Sequence, residues 1–322
     1  MDISKLNVLV TGCNGQLGKC VRELFKVVNT NKLILTDINI ENELNNPQLR
    51  LCKLDITKYE DVEKLVKEEN VNVIINCAAY TNVDKAEDEA NLAYILNAVA
   101  VKNLAEASKE NNAKLIHIST DYVFDGKSYM PYNENKIVNP IGIYGATKES
   151  GERIALEILK DDCIIIRTAW LYSNYGNNFV RTMVNLGKTK DEIKVIFDQI
   201  GTPTSAHDLA NAIICILKSD KWVGGIFHYS NEGVCSWYDF AWEIMNTFGL
   251  TCKVVPIHTS EYPTKAERPH YSVLDKTKIK DIYGIHIPYW KESLAMCAIR
   301  YKELKASIEF GKIKPEDTEY WQ

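Results

Sequence analysis

Short apolar runs alternate with amphipathic segments along the first half of the chain. Nearly continuous apolar runs lie at 6–11, 32–36, 51–54, 71–79, 113–119 and 163–168. They predict strands of a parallel sheet, because such strands are covered on both faces and are apolar throughout. Amphipathic segments that predict helices lie at 58–69, about 87–111 and 144–160. This alternation predicts an α/β fold with a doubly wound, Rossmann-type parallel sheet.

The pattern loosens beyond Trp170. The elements predicted there are a helix near 177–186, a strand at 194–197, a helix at 205–218 and short helices after 236. We expect residues 1–170 to form one domain, to which 190–230 return. Residues 171–322 are expected to form largely a smaller, discontinuous C-terminal lobe.

Composition narrows the class of protein. Of the 322 residues, 46% are hydrophobic and 25% charged, with a net charge of -5, so nucleic acid is not an expected partner. No signal peptide and no run of about 20 apolar residues occurs, so we expect a soluble, cytoplasmic protein without membrane contact. The nine cysteines are scattered without Cys-x-x-Cys spacing, which predicts packed thiols rather than disulfides or a zinc site.

A glycine-rich loop follows the first predicted strand. Gly12, Gly15 and Gly18 have the spacing Gly-x-x-Gly-x-x-Gly, and a helical pattern follows them. A strand, a glycine loop and a helix together form a phosphate cradle, because free backbone N–H groups and the helix dipole face the ligand. Glycines also occur in ordinary turns, so the flanking strand and helix are what favour a dinucleotide site.

Acidic and small residues follow the later strands. Asp37 ends the second strand, where an acid holds a ribose 2′-hydroxyl; this favours NAD(H) but does not exclude NADPH, and a turn aspartate is the alternative. Asp55 ends the third strand, where it can accept a hydrogen bond from adenine. Asp55 or Thr57 can also cap the next helix, and the two roles are compatible. Ala78 and Ala79 end the fourth strand, over which a flat cofactor can lie. We therefore expect NADH or NADPH as the cofactor.

Candidate chemistry lies around the fifth strand and the helix after it. Tyr144 and Lys148 are four residues apart, so a helix places them on one face. A phenol has a pKa near ~10, and a neighbouring cation lowers that pKa. The pair therefore predicts a general acid for a carbonyl that is being reduced. Thr120, at the end of the fifth strand, can hydrogen-bond the same carbonyl oxygen. The Tyr-x-x-x-Lys spacing alone also fits an ordinary surface pair.

Five motifs in a fixed order carry a family resemblance. They are the glycine loop, Asp55-Ile56, Asn76-Cys77-Ala78-Ala79, Thr120 and Tyr144-x-x-x-Lys148. Together they resemble the extended short-chain dehydrogenase/reductases. Within that superfamily the chain is similar to the dTDP-4-dehydrorhamnose reductase family. The closer matches include Gly15-Gln16-Leu17-Gly18, Ser119-Thr120-Asp121-Tyr122-Val123-Phe124-Asp125-Gly126 and Arg268-Pro269-x-Tyr271-Ser272.

The resemblance implies an NAD(P)H-dependent oxidoreductase that reduces the C4 ketone of a nucleotide-linked 4-keto-6-deoxyhexose, with dTDP-4-dehydro-L-rhamnose as the expected substrate. Tyr144 would donate the proton, Lys148 would hold the nicotinamide ribose, and Thr120 would position the carbonyl. The implied cofactor-binding residues are Gly12, Gly15, Gln16, Leu17, Gly18, Asp37, Asp55, Ile56, Ala78, Ala79, Tyr80, Thr81, Tyr144 and Lys148. The implied substrate-binding residues are Thr81, Val83, Asp121, Tyr122, Trp170 and Arg268.

Several alternatives stay open. Trp170 is also interpretable as a core aromatic residue, Asp121 as a turn cap and Arg268 as half of a structural ion pair. A nucleotide-sugar 4-epimerase on the same scaffold would retain NAD(H) through turnover. A non-catalytic subunit resembling the methionine adenosyltransferase β subunit would instead bind a partner protein. The family resemblance is compatible with a homodimer and with Mg²⁺, although no carboxylate cluster in the sequence requires a metal.

Overall fold

A parallel sheet forms the centre of the computed structural model, which describes residues 2–40 and 42–309. The elements of the first half are β1 Asn7–Thr11, α1 Gln16–Leu24, β2 Lys32–Asp37, β3 Leu44–Asn45, β4 Leu49–Lys53, α2 Tyr59–Glu68, β5 Val73–Asn76, α3 Val83–Ala86, α4 Ala90–Tyr94, α5 Ala100–Glu110, β6 Lys114–Thr120, α6 Ile143–Leu159 and β7 Cys163–Thr168. Those of the second half are β8 Leu171–Tyr172, α7 Phe179–Thr189, β9 Glu192–Ile196, β10 Ile200–Gly201, β11 Thr204–Ser205, α8 Ala206–Lys218, β12 Gly225–His228, β13 Cys235–Ser236, α9 Trp237–Phe248, β14 Lys253–Ile257, α10 Thr277–Tyr283 and α11 Trp290–Glu309. None of the helices described is long and apolar enough to cross a membrane.

The large sheet has eight strands in the order β12-β7-β6-β5-β1-β2-β4-β3. Neighbouring strands are parallel, except that the short β3 pairs antiparallel with β4. From the boundary between β1 and β5, chain order runs outward through β2 and β4 on one side and through β6, β7 and β12 on the other. In an open α/β sheet, ligands bind outside the carboxyl ends of the strands at such a boundary.

Burial on both faces explains why the strands are apolar throughout. Val8 and Val10 of β1 belong to one buried cluster, which includes residues of α1 and α8. Leu9 belongs to a second cluster with residues of α2, α5 and α6. Successive side chains of a strand point to opposite faces, so the sheet is covered by helices on each side. The predicted doubly wound α/β fold is confirmed.

The prediction of one regular helix over about 87–111 is wrong. The structure has α4, a π-helical turn at Ile95–Val99 and then α5. The extra residue of a π turn rotates a side chain out of the regular helical spiral, and such turns are frequent at functional sites. Here Asn97 points inward, and helix α6 packs so close that a Cβ on Gly151 would lie 2.1 Å from the Asn97 carbonyl oxygen.

Some elements of the second half of the chain join the large sheet, and the others form a separate buried cluster. Strand β12 pairs with β7 in the large sheet, and α8 packs against α1. The strand predicted at 194–197 does not join that sheet, because β9 pairs in parallel with β14. Helices α7, α9 and α11 enclose a separate buried cluster around Phe240, Ile244 and Leu294. The exact domain boundaries stay a prediction.

Candidate active site

The glycine loop between β1 and α1 lies so close to the end of β5 that side chains are excluded. Gly12 has a φ of 64°, and a Cβ atom on it would lie 2.7 Å from the Ala78 nitrogen. A Cβ atom on Gly18 would lie 2.1 Å from the Gly12 carbonyl oxygen. Gly15 is the N-cap of α1 and has no side chain to occupy the first N–H groups of the helix. A phosphate therefore fits this cradle.

Asp37 and Asp55 lie at the ends of neighbouring strands. Asp37 accepts hydrogen bonds from the backbone N–H groups of Asn14, at 3.1 Å, and Asn39, at 3.2 Å. Its carboxylate therefore lies against the glycine loop. Asp55 accepts from the Thr57 hydroxyl at 2.7 Å, and this hydrogen bond is the largest cause of the lowered pKa of Asp55. The expectation that Asp55 or Thr57 caps α2 is wrong, because Lys58 is the N-cap.

Of the other predicted cofactor-binding residues near the glycine loop, Gln16 forms polar contacts, whereas Leu17 and Ile56 are buried. The Gln16 side-chain oxygen accepts hydrogen bonds from the Ser173 hydroxyl, at 3.2 Å, and the Asn178 amide, at 3.0 Å. Gln16 thus connects the glycine loop to the segment after β8. Leu17 and Ile56 are buried core residues.

The chain after β5 borders the same crevice and is held by Asn97. The Asn97 side chain accepts from the Tyr80 N–H at 2.9 Å and donates to the Tyr80 carbonyl at 3.1 Å. Ala78 and Ala79 are half-buried, whereas Thr81 is exposed. Val83, at the start of α3, is also half-buried. These residues therefore form an accessible wall rather than part of the core.

Tyr144 lies in the first turn of α6 and faces Thr120 at the end of β6. Burial raises the pKa of Tyr144 to about 12, while a hydrogen bond with the Thr120 side chain acts in the opposite direction. The ring of Tyr122 packs edge-on against Tyr144, with centroids 5.6 Å apart. The structure thus brings the two hydroxyls together beside a second tyrosine.

Lys148 lies one turn further along α6 and is buried. Its Nζ donates to the Ile118 carbonyl at 2.6 Å and lies 3.3 Å from the Nε2 atom of His117. Burial lowers the pKa of Lys148 to about 8, and Glu152 acts in the opposite direction. The expectation that Lys148 lowers the pKa of Tyr144 is wrong for this arrangement, because burial dominates and raises that pKa.

Asp121 and Arg268 form polar contacts on the substrate side. The Thr120 hydroxyl donates to the Asp121 carboxylate at 3.0 Å. Burial raises the pKa of Asp121 to about 6, although hydrogen bonds with Ser272 and Thr120 lower it. Arg268 donates to both carboxylate oxygens of Asp84, at 3.1 and 2.7 Å. Arg268 therefore forms the ion pair that was the alternative to a diphosphate contact.

Trp170 packs against the buried cluster that α7, α9 and α11 enclose. It has a φ of 47°, and its ring stacks on Trp237 with centroids 3.5 Å apart. A Cβ atom on Gly201 would lie 2.6 Å from the Trp170 ring. Trp170 is half-buried rather than enclosed. One face of the indole is therefore covered by protein, while part of the side chain stays accessible.

Comparison with known proteins places the chain in a family. The model of the RmlD substrate binding domain matches residues 6–303. The dTDP-4-dehydrorhamnose reductase of Aggregatibacter actinomycetemcomitans is 40% identical over 298 residues, covering 89% of this chain and 96% of that one. The chain belongs to the dTDP-4-dehydrorhamnose reductase family. The resemblance seen in the sequence motifs is confirmed, and with it the class of NAD(P)H-dependent oxidoreductases.

Solved members of the reductase family have the same fold. The dTDP-4-dehydrorhamnose reductase of Clostridium acetobutylicum superposes with a TM-score of 0.84 at 44% identity, covering 94% of this chain and 100% of that one. The reductase of Bacillus anthracis, solved in complex with NADP, gives a TM-score of 0.81 at 40% identity, covering 92% and 99%. The glycine cradle is thus seen in a family with a nicotinamide-bound member.

Three polar residues beside this site were given no role by sequence reasoning, although Asn76 belongs to a motif that carries the family resemblance. Asn76 and His117 are buried in neighbouring strands, and Asn97 is buried in the π turn. Buried polar side chains are normally hydrogen-bonded, so a histidine within the apolar run of β6 was a usable signal. The π turn left no comparable signal, because residues 87–111 have an ordinary helical pattern.

Proposed function

We propose that this chain reduces the C4 ketone of dTDP-4-dehydro-L-rhamnose to dTDP-L-rhamnose with NADH or NADPH. The observation that carries the proposal is the placement of Tyr144, in the first turn of α6, beside the Thr120 side chain at the end of β6, with Lys148 one turn away on α6. This group lies at the carboxyl end of the large sheet, as the glycine cradle does. Membership of the reductase family supports the substrate class.

The residues of the chain supply acid catalysis and positioning. Tyr144 stays protonated at neutral pH, because burial raises its pKa to about 12. Its O–H bond breaks as a new O–H bond forms at the C4 oxygen. Thr120 holds the same oxygen by a hydrogen bond, and Lys148 orients the nicotinamide ribose. When bound, the nicotinamide supplies the hydride that reduces C4.

The cofactor and the sugar are proposed to bind on opposite sides of Thr120, Tyr144 and Lys148. Asp37 and the glycine cradle are proposed to hold the ribose and diphosphate of the cofactor. The sugar is proposed to contact Asp121, Tyr122 and Trp170. A guanidinium has five N–H donors, and Arg268 uses three in its hydrogen bonds to Asp84 and Ala266. The remaining donors are proposed to contact the diphosphate of the sugar nucleotide.

The test is oxidation of NADH and of NADPH with dTDP-4-dehydro-L-rhamnose and related 4-keto-6-deoxyhexoses, with NMR identification of the product. Tyr144→Phe should lower kcat by about 10²- to 10⁴-fold, the usual contribution of a general acid, while cofactor affinity stays near that of the parent. Tyr59→Phe is the matched control, because the Tyr59 hydroxyl donates to Glu110 at the surface. Equal rates for parent and Tyr144→Phe would remove the proposed acid.

Location and assembly are also proposals. We propose a cytoplasmic enzyme, since all nine cysteines are free thiols and free thiols suit a reducing compartment. A homodimer is proposed from the family resemblance, and light scattering of the purified chain tests it. Within the described residues no group of three or more His, Cys, Asp or Glu side chains is placed to hold a metal. The proposed mechanism gives Mg²⁺ no role.

A further inference from the structure

The helix that carries Tyr144 begins without a capping side chain of its own. Gly142 is the N-cap of α6 and makes no side-chain hydrogen bond to the helix. The first N–H of the helix, that of Ile143, donates instead to a carboxylate oxygen of Glu87 at 2.9 Å. A capping side chain normally belongs to the residue just before its helix, whereas Glu87 lies 56 positions away from Ile143. Another element therefore supplies the cap of α6.

The space around Gly142 fits a cap that comes from outside. A Cβ atom on Gly142 would lie 2.9 Å from the Glu87 carboxylate oxygen. Gly142 has a φ of -141°, which is extended backbone, so the conformation alone does not require glycine. Glu87 is itself the C-cap of α3, where the helix dipole disfavours an acid, but the dipole at the start of α6 favours one. The start of α6 therefore explains both residues.

The segment that carries Glu87 is continuous with the wall of the crevice. Residues 78–81 form that wall, and α3 begins directly after them. The side chain of Asn82 caps α3 by accepting from the Lys85 N–H at 3.1 Å, so a short capped helix connects the wall to Glu87. The hydrogen bond of Glu87 therefore joins this wall to the first turn of α6.

Other contacts of α6 do not replace this hydrogen bond. Gly145 packs so closely that a Cβ atom on it would lie 2.1 Å from the Tyr122 carbonyl oxygen. Such a contact limits how near the first turn can come, but it does not keep the turn from moving away. The Asn97 amide donates to the Thr147 hydroxyl at 3.1 Å, and Thr147 belongs to the next turn. Glu87 therefore acts on the first turn itself.

We infer that Glu87 is a positioning residue, which fixes Tyr144 relative to the wall at 78–81. The inference deepens the proposed function and rests on it for its catalytic meaning. Reduction of a ketone adds a hydride to its carbon and a proton to its oxygen as the C=O π bond breaks. The cofactor is proposed to bind along the wall, and the proton comes from α6. The two donors must therefore keep a fixed separation, which the Glu87 hydrogen bond sets.

The first test compares the parent with Glu87→Ala and Glu87→Gln, using NADPH, NADH and dTDP-4-dehydro-L-rhamnose. Glu87→Ala should lower kcat by about ten- to hundredfold, since a small misplacement of a reacting group costs this much. The Kd of the cofactor should stay near the parent value, because the glycine cradle is unchanged. Glu87→Gln retains an acceptor oxygen and should lose much less of kcat. Equal losses in the two variants would overturn the role of the hydrogen bond.

The double variant Glu87→Ala/Gly142→Ser separates positioning from helix capping. Without the Glu87 side chain there is room for a serine at position 142, whose hydroxyl can cap α6 locally. The double variant should regain the melting temperature that Glu87→Ala loses, about 2 °C for one cap, but it should not regain kcat. If kcat returns together with the melting temperature, Glu87 is only a helix cap and the inference is overturned.

Fluorine NMR of the full chain labelled with 3-fluorotyrosine reports the place of Tyr144 without any sugar nucleotide. Tyr144→Phe identifies the signal by its loss. The rings of Tyr144 and Tyr122 lie edge-on, with centroids 5.6 Å apart, so a displacement of Tyr144 changes its chemical shift. We expect a shifted signal in Glu87→Ala and in the double variant, whether or not the serine restores the melting temperature. An unchanged signal in Glu87→Ala would overturn the inference.

Two further variants complete the test. Glu157→Ala is the matched control, because it removes a carboxylate that is 64% exposed near the other end of α6, and it should change neither kcat nor the fluorine signal. If Glu87→Ala does not fold, Glu87→Asp keeps the charge but is one methylene shorter; it should shift the signal and lower kcat, and no change in either would overturn the inference. A parent that shows the expected shifts but no reductase activity would reject only the proposed function.

Discussion

The crevice at the glycine loop and the surface around Trp170 are built from different contacts. At the loop, backbone touches backbone: Gly12 lies against Ala78, and α1 lies against the loop at Gly18. Around Trp170 the contacts are between side chains that are distant in sequence, such as the stacking of Trp170 on Trp237 and the ion pair of Arg268 with Asp84. Backbone contacts admit no new atom, whereas side chains can move to new rotamers.

This difference has a physical consequence for substitution. A packed interior has almost no free volume, so a new atom between two backbone segments must move both elements. A changed side chain on a partly exposed surface leaves the elements in place and alters only the contact with a ligand. We therefore expect changes at the loop to affect folding, and changes around Trp170 to affect binding and its pH dependence.

Gly18→Ala should produce the largest effect on stability. Its Cβ would lie 2.1 Å from the Gly12 carbonyl oxygen and 2.7 Å from the Cys13 Cα, and both are backbone atoms. We expect the free energy of unfolding to fall by about 3 kcal/mol or more, since overpacking of this kind forces backbone shifts. Urea unfolding of parent and variant measures the change.

Gly187→Ala is the matched control for that prediction. Gly187 also lies within a helix, α7, but a Cβ there would meet the side chains of Met245, at 2.6 Å, and Leu250. A methionine has three rotatable bonds and adapts to such a contact, so the loss should be under about 1 kcal/mol. Equal losses at the two glycines would contradict the distinction between backbone and side-chain contacts.

Asp121, which lies between the two regions, should make the stability of the protein depend on pH. Burial raises its pKa to about 6 from the ordinary value of 3.8. The folded state then holds a proton that the unfolded state has released, so this group lowers stability as pH rises from about 4 to about 6. Asp121→Asn should remove that loss and be more stable than the parent by about 3 kcal/mol above pH 6.

The measurement is the difference in unfolding free energy between parent and Asp121→Asn at pH 5 and at pH 8. The difference should be larger at pH 8, because the buried carboxylate is then fully ionised in the parent. The Asn variant should also reduce dTDP-4-dehydro-L-rhamnose more slowly, since it lacks the proposed sugar contact. A stability difference that does not change with pH would contradict the raised pKa.

The same comparison explains what could be predicted from sequence. The glycine loop and the strands β1, β2 and β5 were predictable, because an apolar run, its length and the following glycines are local signals. The doubly wound sheet follows from the order of those elements. The contacts that hold the candidate site together join residues that are far apart in sequence. His117 and Lys148 are separated by 31 positions, and Asn76 and His117 by 41.

Two wrong predictions show what a local sequence pattern cannot reveal. The strand predicted at 194–197 was expected to return to the large sheet, but the observed β9 pairs with β14, which lies far along the chain, and no local pattern identifies such a partner. The pKa of Tyr144 was expected to fall because of Lys148, yet burial decides both pKa values. Sequence spacing placed the two side chains on one face of α6, but it contained no measure of desolvation.

The ion pair between Arg268 and Asp84 should give the smallest effect on stability. The two side chains are 21% and 43% exposed, and exposed pairs of this kind usually contribute less than about 1 kcal/mol. If the proposed diphosphate contact is present, Arg268→Lys should still raise the KM for the sugar nucleotide by roughly tenfold, because lysine lacks the planar fork that binds two oxygens. The value of kcat should change little.

Asp84→Asn decides whether the loss comes from the ligand contact or from the ion pair itself. This variant weakens the pair but leaves the Arg268 guanidinium in place, with more of its donors available to the ligand. If Arg268 binds the diphosphate, KM stays near the parent value in Asp84→Asn and rises only in Arg268→Lys. If Arg268 serves only to hold Asp84 and the neighbouring Ala266, whose N–H also donates to Asp84 at 3.1 Å, the two variants should raise KM alike. Steady-state kinetics of the two variants at matched ionic strength separates these outcomes, since salt screens an exposed pair.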